Sequence, residues 1–117
     1  DVDSEKMNIA QMVEAVFRMA GAEVEHGEGY PGWAPNPDSA ILKVVVESYA
    51  RLFGKEPVVR SIHAGLECGL FLEKYPGMDM VSFGPTLRGV HSPDEKVNVE
   101  TVEKWWKHLV DILEHIK

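Results

Sequence analysis

Pro57-Val-Val-Arg-Ser-Ile-His63, then Ala64-Gly-Leu-Glu-Cys-Gly-Leu-Phe-Leu-Glu-Lys-Tyr75, then Pro76-Gly-Met-Asp-Met-Val-Ser-Phe83 is the stretch that decides the fold. Val58, Val59 and Ile62 give residues 57–63 the apolar, β-branched character of a short strand. Gly65 to Tyr75 reads as a short helix stopped by Pro76 and Gly77, and Met78 to Phe83 as a second apolar strand. Two strands joined by a helical crossover form a βαβ unit, whose right-handed parallel pairing needs helices on both faces of the sheet. The expected class is therefore α/β, with a partial parallel sheet covered on both sides.

The flanking sequence offers that cover. Asn36 is the expected cap and Pro37 the opening residue of a helix carrying Ile41, Leu42, Val44, Val45, Tyr49, Leu52 and Phe53, ended by Gly54. A last helix runs from the cap Asn98 to about Ile116, with Val99, Val102, Trp106, Leu109, Val110 and Leu113 as its inner stripe. Towards the N-terminus, Ile9, Met12, Val13, Val16, Phe17 and Ala20 fall on one helix face, capped by Asp3 or Ser4 and stopped by Gly21. Ala22 to Gly27 alternates weakly, as an exposed strand does. Gly29-Tyr-Pro-Gly-Trp-Ala-Pro-Asn-Pro37 then breaks any regular pattern and marks a boundary between two structural units.

Composition narrows the classes of function. The 117 residues are 44% hydrophobic, enough for a modest core, and 12 Lys and Arg against 19 Asp and Glu leave a formal charge of -7. Such a surface repels phosphate backbones and anionic membranes, so neither nucleic acid nor membrane is an expected partner. The single cysteine, Cys68, makes no internal disulfide, and no segment approaches the roughly 20 apolar residues of a membrane span; a reducing cytoplasm is the expected setting. With no initiator methionine and no charged-then-apolar leader, the chain is expected to be a piece of something longer.

Chemistry concentrates between the second strand and the last helix, in Ser82-Phe-Gly-Pro-Thr-Leu-Arg-Gly-Val-His-Ser-Pro-Asp-Glu95. Loops beyond the carboxyl ends of parallel strands are where α/β proteins place their sites. His91 can bind zinc through one ring nitrogen while a carboxylate, Asp94 or Glu95, holds the other and fixes the tautomer. From the residues alone, a lone loop histidine is more often a solvated or core-bonded side chain.

Four motifs in order, Tyr30-Pro-Gly-Trp33, Ser61-Ile-His-Ala-Gly-Leu-Glu-Cys-Gly69, Tyr75-Pro-Gly-Met-Asp-Met-Val-Ser-Phe-Gly-Pro85 and Gly89-Val-His-Ser-Pro-Asp-Glu95, resemble the C-terminal part of aminoacyl-histidine dipeptidases. These are relatives of carnosinases and other co-catalytic zinc peptidases. The resemblance implies a lid or dimerisation domain ending in residues 1–35 and a catalytic domain closing in residues 36–117. It implies two zinc ions bridged by a carboxylate and a water, hydrolysing dipeptides that end in histidine. His91 matches the family's last zinc ligand; the other ligands, the bridging Asp and the general-base Glu would lie upstream of Asp1. No catalytic residue is then expected within these 117 residues, and the chain alone is expected to be inactive, because a catalytic zinc takes about three protein ligands.

The remaining positions carry two readings each. Gly65 matches a point where the family's backbone approaches the substrate's carboxylate end, yet a glycine there also simply opens a helix. Glu67 lines the pocket by the same resemblance, or is a first-turn acid favouring the helix dipole. His63, like Glu95, is a candidate for the shell around the ligands, or a satisfied core histidine. Cys68 reads as a small packed residue, since two-zinc hydrolysis uses water. His26 and His108 fall on expected exposed surfaces, and Trp33, Trp105 and Trp106 are packing residues. An alternative function is a non-catalytic α/β binding or assembly module. Either way, a cut parallel sheet leaves bare edges and apolar faces, so a homo-oligomer is expected.

Overall fold

The computed structural model describes residues 2–27, 29, 31–62 and 66–116. Along the chain lie α1 (Val2–Met19), α2 (Ala40–Phe53), α3 (Glu67–Lys74), β1 (Leu87–Arg88), β2 (Lys96–Val97) and α4 (Glu100–His115). The chain divides into two compact units, one of Asp1–Pro35 with Ile62–Met78, the other of Asn36–Ser61 with Asp79–Lys117.

In the first unit α1 begins earlier than expected and runs through Asp3 and Ser4 rather than being capped by them. Asp3 and Glu5 favour the positive end of the helix, and Lys6 closes an ion pair onto Asp3 at 3.0 Å. The helix ends at Gly21, φ +81°, where the Gly21 amide donates to the Arg18 carbonyl and the Ala22 amide to that of Phe17, the paired bonds of a Schellman stop. His26 folds back with Nε2 2.7 Å from Glu14, and His26 and then Arg18 hold the Glu14 carboxyl below its ordinary range. The apolar face of α1 is uncovered, from Val13 at 48% exposed to Val16 at 67%.

The second element of that unit, α3, is set by Gly69, which is buried against the Pro31 carbonyl. A Cβ built on Gly69 would overlap the Pro31 oxygen and lie 3.3 Å from its carbonyl carbon. The glycine that closes the Ser61–Gly69 motif is thus a packing requirement.

In the second unit α2 starts three residues later than expected. Asn36 caps only a turn, taking the Asp38 amide on Oδ1 at 3.0 Å, whereas Ser39 caps the helix by accepting the Leu42 amide on Oγ at 3.0 Å. Asp79, distant in sequence, completes the cap by accepting the Ile41 amide at 3.0 Å. Ser39 first, then the amides of Ile41, Ala40 and Met80, hold the Asp79 carboxyl below its ordinary range. A carboxylate depressed in the folded state adds stability above its unfolded pKa of about 3.9, and that stability is lost as pH falls through the folded value. Urea midpoints of the chain and of Asp79→Asn are therefore expected to differ at pH 6 and converge towards pH 3. An equal gap at both would contradict this role.

α2 packs on α4 with a face of α4 other than the expected one. Val99, Val102, Trp106 and Leu113 are exposed, while His108 at 5% and Ile112 at 3% are buried with Val45 and Ser48 of α2. His108, expected on the surface, has its Nε2 2.9 Å from the Val45 carbonyl and its ring edge-on to Tyr49, Phe53 and Phe83. A ring satisfied at its nitrogen and surrounded by aromatics behaves as an apolar side chain, which brings a different face of the helix inward. Arg51 pairs with Asp111, and Lys104 donates to the Tyr49 hydroxyl at 2.6 Å while lying over the Tyr49 and Phe53 rings, along the same seam.

Among the described residues the expected strands at 22–27, 57–63 (described to residue 62) and 78–83 are not formed. Among the described residues the single ladder is antiparallel, Leu87 opposite Val97 and Arg88 opposite Lys96. Strand structure exists only where a second backbone edge supplies bonding partners, and the apolar runs meet none among the described residues. The architecture is mixed helix with a small two-stranded sheet.

Candidate functional site

The two-residue ladder is the base of a hairpin whose connection, residues 89–95, holds the histidine singled out by sequence. The hairpin is tied to α4: the Asn98 amide donates to the Thr86 carbonyl at 2.9 Å, and the Thr86 amide donates to Thr101 Oγ1 at 2.9 Å. Asn98, expected as the cap of α4, lies one residue before the cap position, which Val99 occupies with no side-chain bond; its Oδ1 takes the Glu100 amide at 3.1 Å.

Within the connection, Gly89 has φ +61°, and a Cβ there would come 3.0 Å from Ser92 Oγ and 3.2 Å from the Asp94 carbonyl oxygen. Ser92 organises the turn, donating from both its amide, at 3.0 Å, and its hydroxyl, at 2.6 Å, to the Gly89 carbonyl. It accepts the Asp94 amide on Oγ at 3.3 Å and the Glu95 amide on its carbonyl at 3.1 Å. Ser92, Pro93 and Asp94 therefore serve the turn.

His91 sits in the middle with φ +63°, the one non-glycine residue in the left-handed region among those described. Such a backbone costs on the order of 1–3 kcal/mol and persists where surrounding bonds enforce it. Here Glu95 Oε2 accepts the His91 amide at 2.8 Å. The carboxylate expected at a ring nitrogen is thus on the main chain instead. The imidazole is exposed, and among the described residues nothing bonds either ring nitrogen. Either ring nitrogen, in the matching tautomer, is free to present its lone pair to a metal, so the side chain fits the role of ligand. It belongs to no group of three metal-ligating side chains among the described residues.

Gly65 and His63 lie outside the described residues. Glu67 is exposed in the first turn of α3, in the other unit. Cys68 is half-buried on the same helix. One grouping went unnoticed in the sequence: Asp111, Glu114 and His115 bring one donor atom each within 4.8 Å of one another on α4, a pattern visible in their three-and-four spacing. Asp111 is already committed there, with the Arg51 guanidinium the first cause holding its carboxyl below the ordinary range.

A turn that presents one histidine from a strained backbone is a local pattern, and the whole chain carries more. Residues 3–115 match the sequence profile of peptidase family M20/M25/M40. The chain belongs to that family. It is 48% identical over 115 residues to the cytosol non-specific dipeptidase of Escherichia coli strain K12, spanning 98% of this chain and 24% of the relative. The crystal structure of aminoacylhistidine dipeptidase from Vibrio alginolyticus superposes with a TM-score of 0.75 at 48% identity, again over 98% of this chain and 24% of that one. This M20-family chain thus spans about a quarter of the length of the relatives it matches. Among its described residues no helix is long and apolar enough to cross a membrane.

Proposed function

We propose that the chain is the C-terminal segment of a two-zinc dipeptidase that hydrolyses dipeptides ending in histidine, and that it contributes one zinc ligand, His91. The observation that carries this reading is the Gly89–Glu95 turn, which spends bonds on holding one exposed, unbonded imidazole in a left-handed backbone. Bound zinc supplies Lewis acidity and lowers the pKa of a water. The chain's own part is to hold a ring nitrogen at a fixed place on a hairpin anchored to α4. Gly65 and Glu67 are assigned to the substrate's carboxylate end, and His63 and Glu95 to the shell around the ligands. Residues 1–35 are assigned to a lid or dimerisation domain and 36–117 to the catalytic domain, on the strength of the Gly- and Pro-rich run between them. A cytoplasmic location accords with the single cysteine.

The two relatives bear names of different breadth, one non-specific and one aminoacylhistidine. The test is hydrolysis of dipeptides with and without C-terminal histidine by this chain and by its full-length parent, each with zinc and with a chelator. We expect chelator-sensitive hydrolysis by the parent, fastest on the histidine-ended dipeptides, and none by the chain alone. A parent inactive with zinc would instead favour the binding or assembly module.

Self-association belongs to the same proposal, because the uncovered α1 face is a contiguous apolar stripe. Light scattering of the isolated chain at tens of micromolar is expected to report a dimer or larger species; a monomer would remove this part.

A further inference from the structure

Resting on the assignment of His91 as a ligand, we propose that Glu95 is a positioning residue that acts on the metal site through the His91 main-chain amide, by reach and not by charge. Four bonds shape the connection around His91 without touching it: the Ser92 amide and the Ser92 hydroxyl on the Gly89 carbonyl, the Asp94 amide on Ser92 Oγ, and the Glu95 amide on the Ser92 carbonyl. Among the described residues the bond that grips His91 itself is the 2.8 Å contact from its amide to Glu95 Oε2. The carboxylate is well placed for this because its residue adjoins Lys96, whose partner across the ladder is Arg88. Glu95 therefore links the foot of the hairpin to His91. With φ at +63°, His91 needs such a grip, since relaxation to the ordinary negative region would re-aim its Cβ and with it the imidazole. A ligand whose direction drifts binds the same metal more weakly.

Reach and charge are separable by two conservative substitutions. Glu95→Gln keeps an acceptor oxygen at the same distance and removes the charge. Glu95→Asp keeps the charge and withdraws the oxygen by one methylene. In the full-length parent, zinc affinity measured by competition with a chromogenic chelator is expected to be kept in Glu95→Gln. It is expected to fall about 10- to 100-fold in Glu95→Asp and Glu95→Ala, the scale of losses for residues supporting a ligand. Visible spectra of the cobalt-substituted proteins give a second readout that a merely structural role would not move. Altered ligand-field bands are expected in Glu95→Asp and parent-like bands in Glu95→Gln. Loss of affinity in Glu95→Gln with retention in Glu95→Asp would overturn the inference in favour of a charge effect. Parent-like affinity in all three variants would overturn it outright while leaving His91 a ligand, provided His91→Ala has lost zinc. Parent-like affinity in His91→Ala would remove the ligand reading itself and the inference with it.

Discussion

In the full-length parent, His91→Ala is expected to lower kcat/KM for histidine-ended dipeptides by more than about 100-fold, because residues that merely support a metal ligand cost about 10–100-fold when removed. The reasoning starts from the turn. Gly89 takes a left-handed backbone where a Cβ would crowd Ser92 and Asp94, Ser92 closes the turn onto the Gly89 carbonyl, and Glu95 clasps the His91 amide. None of these interactions uses the imidazole, which is exposed and unbonded among the described residues. Its removal should therefore leave the fold intact and take away a donor. Steady-state kinetics checks the first half of that statement and circular dichroism the second. Parent-like kcat/KM in His91→Ala would place the histidine outside the chemistry.

The second large effect is expected far from any chemistry, at Gly69. Alanine there would drive its Cβ into the Pro31 carbonyl, a backbone group that has no alternative rotamer to adopt. Overpacking of this kind costs about 1–3 kcal/mol, and more where the obstructing atom is main chain. Gly69→Ala should lower the urea midpoint of the chain and speed amide exchange along α3, with exchange along α4 unchanged, since Gly69 and α4 belong to different compact units. An unchanged midpoint would show that the Pro31 segment yields freely. The Ser61–Gly69 motif thus ends in a residue whose identity is explained by packing alone.

What the sequence made legible was local. Helix stops at Gly21 and Gly54 are written in single residues that adopt positive φ, and both are found where expected. The loop bearing His91 was marked by small residues and carboxylates with no competing periodicity. The parallel sheet is not formed among the described residues: Val58, Val59 and Met80 to Phe83 have strand composition, but a ladder depends on a partner edge that composition does not supply. The cap of α2 was misplaced because Ser39 is reinforced by Asp79, and nothing near Ser39 announces a residue so distant in sequence. The inner face of α4 was misread because apolar counting gives a histidine no weight, whereas His108 spends its polarity on the Val45 carbonyl and packs as an aromatic ring. At the site, the residue types around His91 suggested a carboxylate partner; the choice of its main-chain amide over its ring follows from the φ of His91, a quantity that no sequence pattern displays.

Zinc content of the full-length parent tests the central claim most directly, through elemental analysis after dialysis at limiting free zinc, with His91→Ala alongside. Two equivalents per chain in the parent and fewer in His91→Ala, with both proteins folded, is the predicted result; the same two equivalents retained in His91→Ala would contradict it.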